Sequence, residues 1–284
     1  MSQIRRHVAA GTLAWRVPTD HDRAAMRNPS SILITGASGG IGAALARAYA
    51  RPGVTLALTG RAADRLDSVA EGAVAAGAAV TTRALDVRDR DALTAWIAEV
   101  DTAHPLDLAI ANAGITGGHH GPGHDESLDE VHRLIEINFL AACDTVHAAL
   151  GPMRRRGRGQ VALMSSLAGL RALPYSPGYC ASKAALIAYA DALRAGLRAD
   201  GIEIAVILPG FIDTPMLARV NGPKPLTMAP EQAARIIKGG LERGRGHIAF
   251  PRPLYWLQRA ATLLPAGVVD RFLNRIPVSI TGYE

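Results

Sequence analysis

Only two cysteines, Cys143 and Cys180, occur among 284 residues, and each falls in an alanine-rich helical pattern. That spacing excludes a disulfide framework and the paired cysteines of a structural metal site, and it leaves two reduced thiols in packed helices. Aromatic residues are scarce at 5%, and none interleaves with the densest basic run, Arg154, Arg155, Arg156 and Arg158. A stacking platform for single-stranded nucleic acid is therefore missing. The run falls where a helix should give way to a strand, so its cations meet the negative end of the helix dipole. The rest of the net charge of +6 is dispersed along the chain, and nucleic acid is set aside as a partner. No uninterrupted apolar stretch approaches the ~18 residues of a membrane span. The N-terminal segment lacks a hydrophobic signal core, which makes a cytoplasmic compartment the expectation. His119, His120 and His124 stand close together, but their Gly/Pro-rich loop gives ligands no fixed scaffold and no cysteine lies nearby. The reading there is a surface loop, with no metal.

What the chain does have is alternation. Strand patterns at 31–35, 54–59, 79–85, 106–111, 160–165, 203–208 and 247–250 alternate with helical patterns at 43–50, 63–76, 89–103, 127–150, 176–199 and 230–242. Such alternation implies an α/β domain whose mostly parallel sheet of about seven strands is covered on both faces. Ligands then bind beyond the C-terminal ends of the strands. Length and a 49% apolar content suit one such domain with a sizeable core.

Two local signals carry chemistry. The first strand runs directly into Gly36-Ala-Ser-Gly-Gly40-Ile-Gly42 and then into a helix. Glycines there allow a tight turn and a close backbone approach to a pyrophosphate, and the helix N-terminus offers unpaired N–H groups. The spacing Gly-x-x-x-Gly-x-Gly also suits a plain strand-to-helix connection. In the second signal, Tyr179 and Lys183 lie four residues apart in a helical pattern opened by Ser176 as N-cap and Pro177 at the first helical position. A phenol has a reference pKa of about 10, and lowering it by about 3 units takes roughly 4 kcal/mol of preferential stabilisation of the phenolate. A lysine on the same face supplies much of that, and the Ser166 hydroxyl is available to hold a reacting oxygen.

Taken together, these motifs resemble the short-chain dehydrogenase/reductase family over about residues 30–250, and the resemblance implies a single-domain Rossmann fold. Further pieces fit in order: Asp86 and Val87 after the third strand, Asn112, Ala113 and Gly114 after the fourth, Asn138 on the next helix, and Pro209, Gly210 and Thr214 after the sixth. By this resemblance Asn138, Ser166, Tyr179 and Lys183 form a catalytic tetrad. A dinucleotide would be held by Gly36, Ser38, Gly40, Ile41, Gly42, Arg61, Asp86, Val87, Asn112, Ala113, Gly114, Tyr179, Lys183, Pro209, Gly210 and Thr214. Asp86 is expected near the adenine, Asn138 beside a proton-relay water, and Asn112 either at the cofactor or holding the neighbouring strand. The implied activity interconverts a carbonyl and a secondary alcohol by hydride transfer with NAD(P), Tyr179 serving as acid/base. A dinucleotide-binding regulator without turnover is the alternative. A sugar-nucleotide epimerase fits less well because no large substrate domain is evident.

At the end of the second strand the chain reads Leu58-Thr59-Gly60-Arg61. Glycine stands where a carboxylate would bind the adenosine ribose of NAD, and Arg61 follows, so NADP(H) is favoured over NAD(H). Gly39 is not the basic residue that many NADP-preferring relatives carry. Phe211, Ile212, Met216 and Leu217 make the following loop apolar, as a substrate cover or as ordinary core. Residues 1–29, with five arginines, read as an N-terminal extension, and residues 251–284 as an apolar, basic-flanked tail. The tail is expected to cap a hydrophobic pocket, to touch a membrane surface, or to pack on the core or a partner subunit. A homodimer or homotetramer, and reduction of a hydrophobic or lipid-like ketone, complete the expectations.

Overall fold

The computed structural model describes residues 27–118, 125–273 and 275–281. The histidine loop at 119–124 and nearly all of the N-terminal extension lie outside the described residues. Seven parallel strands form one sheet in the order β3-β2-β1-β4-β5-β6-β8. They are β1 (Ser31–Thr35), β2 (Thr55–Gly60), β3 (Ala79–Ala84), β4 (Leu108–Ala111), β5 (Gly159–Met164), β6 (Ile202–Pro209) and β8 (His247–Phe250). The chain winds outward in both directions from β1 and β4, so the switch point lies between these neighbours, paired at Ile32–Leu108 through Ile34–Ile110. A crevice opens there beyond the strand ends.

Side chains alternate across the sheet and divide the core into two. On one face Leu33, Ala109, Val161, Leu163, Val206 and Leu208 pack under α3 (Arg90–Ala103), α5 (Ala141–Arg156) and α6 (Pro177–Leu197). On the other, Ile32, Ile34, Leu56, Leu58, Ile110 and Ile207 pack under α1 (Gly40–Tyr49), α2 (Ala63–Ala75) and α8 (Pro230–Leu241). Each fully buried Leu or Ile contributes about 1.5–3 kcal/mol of apolar burial. The near-continuous apolar runs of the central strands follow from cover on both sides.

The helix expected over 127–150 is not uniform. It consists of α4 (Leu128–Ile135), a π turn at Glu136–Leu140 and then α5. By length and composition Leu128–Arg156 could cross a membrane, yet half of its most apolar stretch is buried inside the protein. At the end of α5, Arg154 and Arg155 are exposed, and two of the run's arginines also pair with carboxylates. Arg156 pairs with Asp101 at 2.7 Å and Arg154 with Asp200 at 2.8 Å, while Gly157 ends the helix in the left-handed region. Both cysteines are free, and burial pushes their thiols up to about 11.

After β6 come α7 (Pro215–Ala218), β7 (Val220–Asn221) and α8, and after β8 come α9 (Arg252–Ala261), α10 (Ala266–Leu273) and β9 (Ser279–Ile280). β9 pairs antiparallel with β7, and Arg219 and Thr281 exchange hydrogen bonds of 2.7 and 2.8 Å. The tail is thus stitched to the loop that follows β6.

Candidate active site

A cavity of about 510 Å³ lies at the C-terminal edge of the sheet. Its floor begins with the glycine turn. Gly36 has φ +68 and approaches Ala113 so closely that a Cβ would stand 2.7 Å from the Ala113 Cα. A Cβ on Gly42 would lie 2.2 Å from the Gly36 carbonyl oxygen, so a side chain at either position would push the turn apart. Thr35 and Asn112 lock this turn to the end of β4. The Thr35 hydroxyl accepts from the Asn112 and Ala113 backbone N–H groups at 3.1 Å, and the Asn112 amide donates to the carbonyls of Thr35 and Gly36 at 2.9 and 3.1 Å. Asn112 therefore holds the neighbouring strand.

Helix α1 starts at Gly40 without a side-chain cap or an acidic residue in its first turn. Its first N–H groups are left for an anion, and Gly39 faces open space. Arg61 and Arg65, one turn apart near the start of α2, line the same end of the cavity. A Cβ on Gly60 would lie 2.7 Å from the Ser38 hydroxyl, so a side chain there would require the Ser38 side chain to shift. Asp86 and Val87 line the cavity as well. The Asp86 carboxylate is already bound by Arg88 at 2.6–3.0 Å, and this guanidinium holds its pKa below the usual carboxylate range. These residues fit a dinucleotide: a backbone cradle, a bare helix end and two arginines.

The other end of the cavity is built on α6. Pro177 opens this helix as expected, but the Ser176 hydroxyl donates to the Gly117 carbonyl instead of capping, and the Glu126 carboxylate accepts from the Gly178 N–H at 2.7 Å in its place. Tyr179 and Lys183 then fall on one face, with the Lys183 ammonium 5.7 Å from the centre of the Tyr179 ring. Lys183 is buried, donates to the Met164 carbonyl at 2.9 Å, and is pushed down to about 8 by that burial. Ser166 stands just beyond β5, where its Oγ accepts from the Ala168 N–H at 3.1 Å and donates to the Pro209 carbonyl at 3.4 Å.

Asn138 owes its position to the π turn, whose extra residue per turn rotates the side chain inward. Its amide accepts from the Ile115 N–H at 2.8 Å and donates to the Ile115 carbonyl at 3.1 Å and the Ser182 hydroxyl at 3.0 Å. The side chain thereby fixes the segment after β4 against α6. A Cβ on Gly114 would lie 3.0 Å from the Asn138 Oδ1 and 3.3 Å from the Lys183 Nζ, so both flank that glycine. Pro209 is the last residue of β6, and Gly210 and Thr214 follow at the cavity wall. The Thr214 methyl packs on Gly40, 3.2 Å from where its Cβ would be, and links the loop after β6 to the glycine turn.

The geometry agrees with an independent comparison, since the family model for short chain dehydrogenases matches residues 30–224. The chain belongs to the short-chain dehydrogenase family. An uncharacterized oxidoreductase of Myxococcus xanthus is 36% identical over 245 residues, spanning 86% of this chain and 96% of that one. An 11-beta-hydroxysteroid dehydrogenase-like protein of Arabidopsis thaliana is 32% identical over 257 residues, 87% of this chain and 82% of the relative. Among solved structures, an alcohol dehydrogenase of Thermococcus sibiricus complexed with 5-hydroxy-NADP superposes with a TM-score of 0.66 at 30% identity, covering 74% of this chain and 88% of that one. This short-chain dehydrogenase is an oxidoreductase acting on CH–OH groups and binds a nicotinamide dinucleotide. When bound, that cofactor supplies or accepts the hydride.

Of the site residues expected from the sequence, all but Gly42 and Asn138 line this cavity; Gly42 lies within α1 and Asn138 is fully buried. Several lining residues were not anticipated: Arg65, Tyr175, Arg219, Leu254, Gln258 and Ile280. Arg65 had a readable signal, being one helical turn after Arg61. The others come from the loop before α6, the loop after β6 and the tail, where no motif marks which side chains turn inward. Phe211, Met216 and Leu217 line the cavity, whereas Ile212 also belongs to the core beneath it.

Proposed function

We propose that this protein is an NADPH-dependent reductase of hydrophobic ketones, with Tyr179 as the proton donor. The observation that carries the reading is the single cavity that joins the glycine turn and the two arginines to Ser166, Tyr179 and Lys183 under apolar walls. In the reducing direction Tyr179 gives its proton to the carbonyl oxygen while the Ser166 hydroxyl turns from Pro209 to steady that oxygen. The Lys183 charge favours the phenolate left behind, and Asn138 keeps the segment flanking Lys183 in place. Leu173, Phe211, Met216, Leu217, Leu254 and Ile280 provide the apolar surface against which a greasy substrate would lie.

The preference for the 2′-phosphate rests on Arg61 and Arg65 and on the lack of a carboxylate at Gly60. The NADP analogue in the Thermococcus sibiricus relative supports it. Replacing both arginines by alanine is expected to raise KM for NADPH about tenfold or more and to leave KM for NADH nearly unchanged. Equal changes for the two cofactors would sink this assignment. The experiment that tests the reduction itself is steady-state turnover of a graded series of ketones with NADPH.

The outer face of the tail supports a second element of the proposal, attachment to an anionic lipid surface. Trp256, Leu257, Leu263, Leu264 and Val268 are exposed, and the exposed Arg252, Arg259, Arg271 and Arg275 are interspersed with them along the chain. Asp270, the acidic residue among them, already pairs with Arg171 at 3.1 Å. Cosedimentation with vesicles containing phosphatidylglycerol is expected, and Trp256→Ser combined with Leu257→Ser should reduce it severalfold. Wild-type protein that stays in the supernatant would contradict lipid attachment.

A further inference from the structure

The short β7–β9 pair carries a side chain of the tail into the cavity. Val220 stands opposite Ile280 and Asn221 opposite Ser279. Directly opposed residues share a face, and Val220 and Ile280 both line the cavity. The Asn221 amide turns to the other side, where it donates to the Ser279 hydroxyl at 3.5 Å and the Thr281 hydroxyl at 3.3 Å. This register is pinned on both flanks. Arg219 and Thr281 exchange hydrogen bonds on one, and on the other a Cβ on Gly222, whose φ is +130, would stand 2.7 Å from the Pro277 carbonyl oxygen. A slip of one residue would turn Ile280 away and put a hydroxyl side chain in its place.

Ile280 is buried, yet it belongs to neither half of the core. Its Cδ1 lies 2.9 Å from where a Cβ on Gly118 would stand, a spot flanked by the backbone of Tyr175 and Ser176 as well. The side chain therefore meets the segment after β4 and the loop that enters α6, one helical turn before Tyr179. Leu254, also from the tail, meets a different wall, its Cδ2 3.3 Å from where a Cβ on Gly210 would stand. We propose that Ile280 is a specificity-determining residue, its side chain closing the cavity wall beside the start of α6 and limiting the width of the substrate. This rests on the reading of the cavity as a ketone-reducing site. The substrate class is then a ketone whose apolar body is unbranched or flat, lying between the walls that Leu254 and Ile280 complete.

The test compares nonan-2-one with 1-cyclohexylpropan-2-one, a methyl ketone of equal carbon number and wider body, with NADPH and the full chain. The quantity read is kcat/KM for the cyclohexyl ketone divided by that for nonan-2-one. Ile280→Ala is expected to raise this ratio about tenfold over wild type, mainly through KM. Ile280→Val, which removes only the Cδ1, should raise it about threefold. The valine variant keeps the β-branched shape and so decides the case in which alanine loosens the tail and slows both ketones alike. A higher ratio in either variant supports the assignment. A ratio no higher than wild type in both would overturn it and leave ketone reduction standing. Turnover of neither ketone by wild type would overturn both.

Discussion

Tyr179→Phe is expected to lower kcat for ketone reduction about 100- to 10,000-fold, the range that a positioned general acid contributes. The substitution removes one hydroxyl and keeps the ring that packs beside the core on α6. Thermal stability and NADPH affinity should therefore stay close to wild type, and the loss should appear in kcat. Fluorescence titration of NADPH alongside steady-state rates would separate the two. A variant that retained more than a tenth of the wild-type kcat would remove Tyr179 from the proton-transfer step.

Lys183→Met is expected to move activity and stability in opposite directions. Lys183 is buried, and its pKa falls from 10.5 to about 8 because burial disfavours the charged form. A shift of about 2.5 units corresponds to about 3 kcal/mol of unfavourable energy when the group is charged. The unfolded chain binds more protons than the folded one between about pH 8 and 10.5, so this contribution to stability rises with pH across that window and is at its worst below it. Methionine removes the buried charge and also the hydrogen bond to the Met164 carbonyl, a loss of about 1 kcal/mol. The ligand-free variant should then be more stable than wild type at pH 7 by about 2 kcal/mol, and the difference should shrink as pH approaches 10.5. Its kcat/KM should fall at least about 100-fold. Denaturant unfolding of both proteins at pH 7 and pH 10 measures the first part; a variant less stable at pH 7 would contradict the account of the buried charge.

Much of this protein is legible in its sequence where local chemistry decides the structure. The strands 31–35 and 247–250 lie where the apolar runs place them, and the other strand ends shift by one or two residues. The glycine turn, the Tyr179–Lys183 pair and Ser166 were readable because each needs particular residue types at fixed spacing. The features that were not readable depend on distant partners. The π turn around Asn138 is chosen by the amide's bonds to Ile115 and Ser182, from another loop and another helix. The cap of α6 comes from Glu126, more than fifty residues away in sequence, which frees the Ser176 hydroxyl for Gly117. Arg88 takes the Asp86 carboxylate, a pairing that depends on the turn after β3 and that no motif marks. The tail had an ambiguous sequence because its helix serves two surroundings. Leu254 and Gln258 face the cavity while Trp256 and Leu257 face outward.

Placement explains function more than fold does. The sheet is shared by many chemistries, but its switch point sets the glycine turn beside the ends of β4 and β5. Thr35 and Asn112 make that junction rigid, and the tail closes the far side by pairing with β7. Tyr179 and Lys183 on α6 thus share one cavity with the glycine turn and with an apolar wall supplied by separate parts of the chain.

The most direct test is the rate of NADPH oxidation by the purified protein across ketones graded from small and polar to long-chain and steroidal. Turnover that rises with the apolar area of the ketone and exceeds that with NADH is the predicted result. Turnover confined to small polar carbonyls, or faster with NADH, would contradict the account.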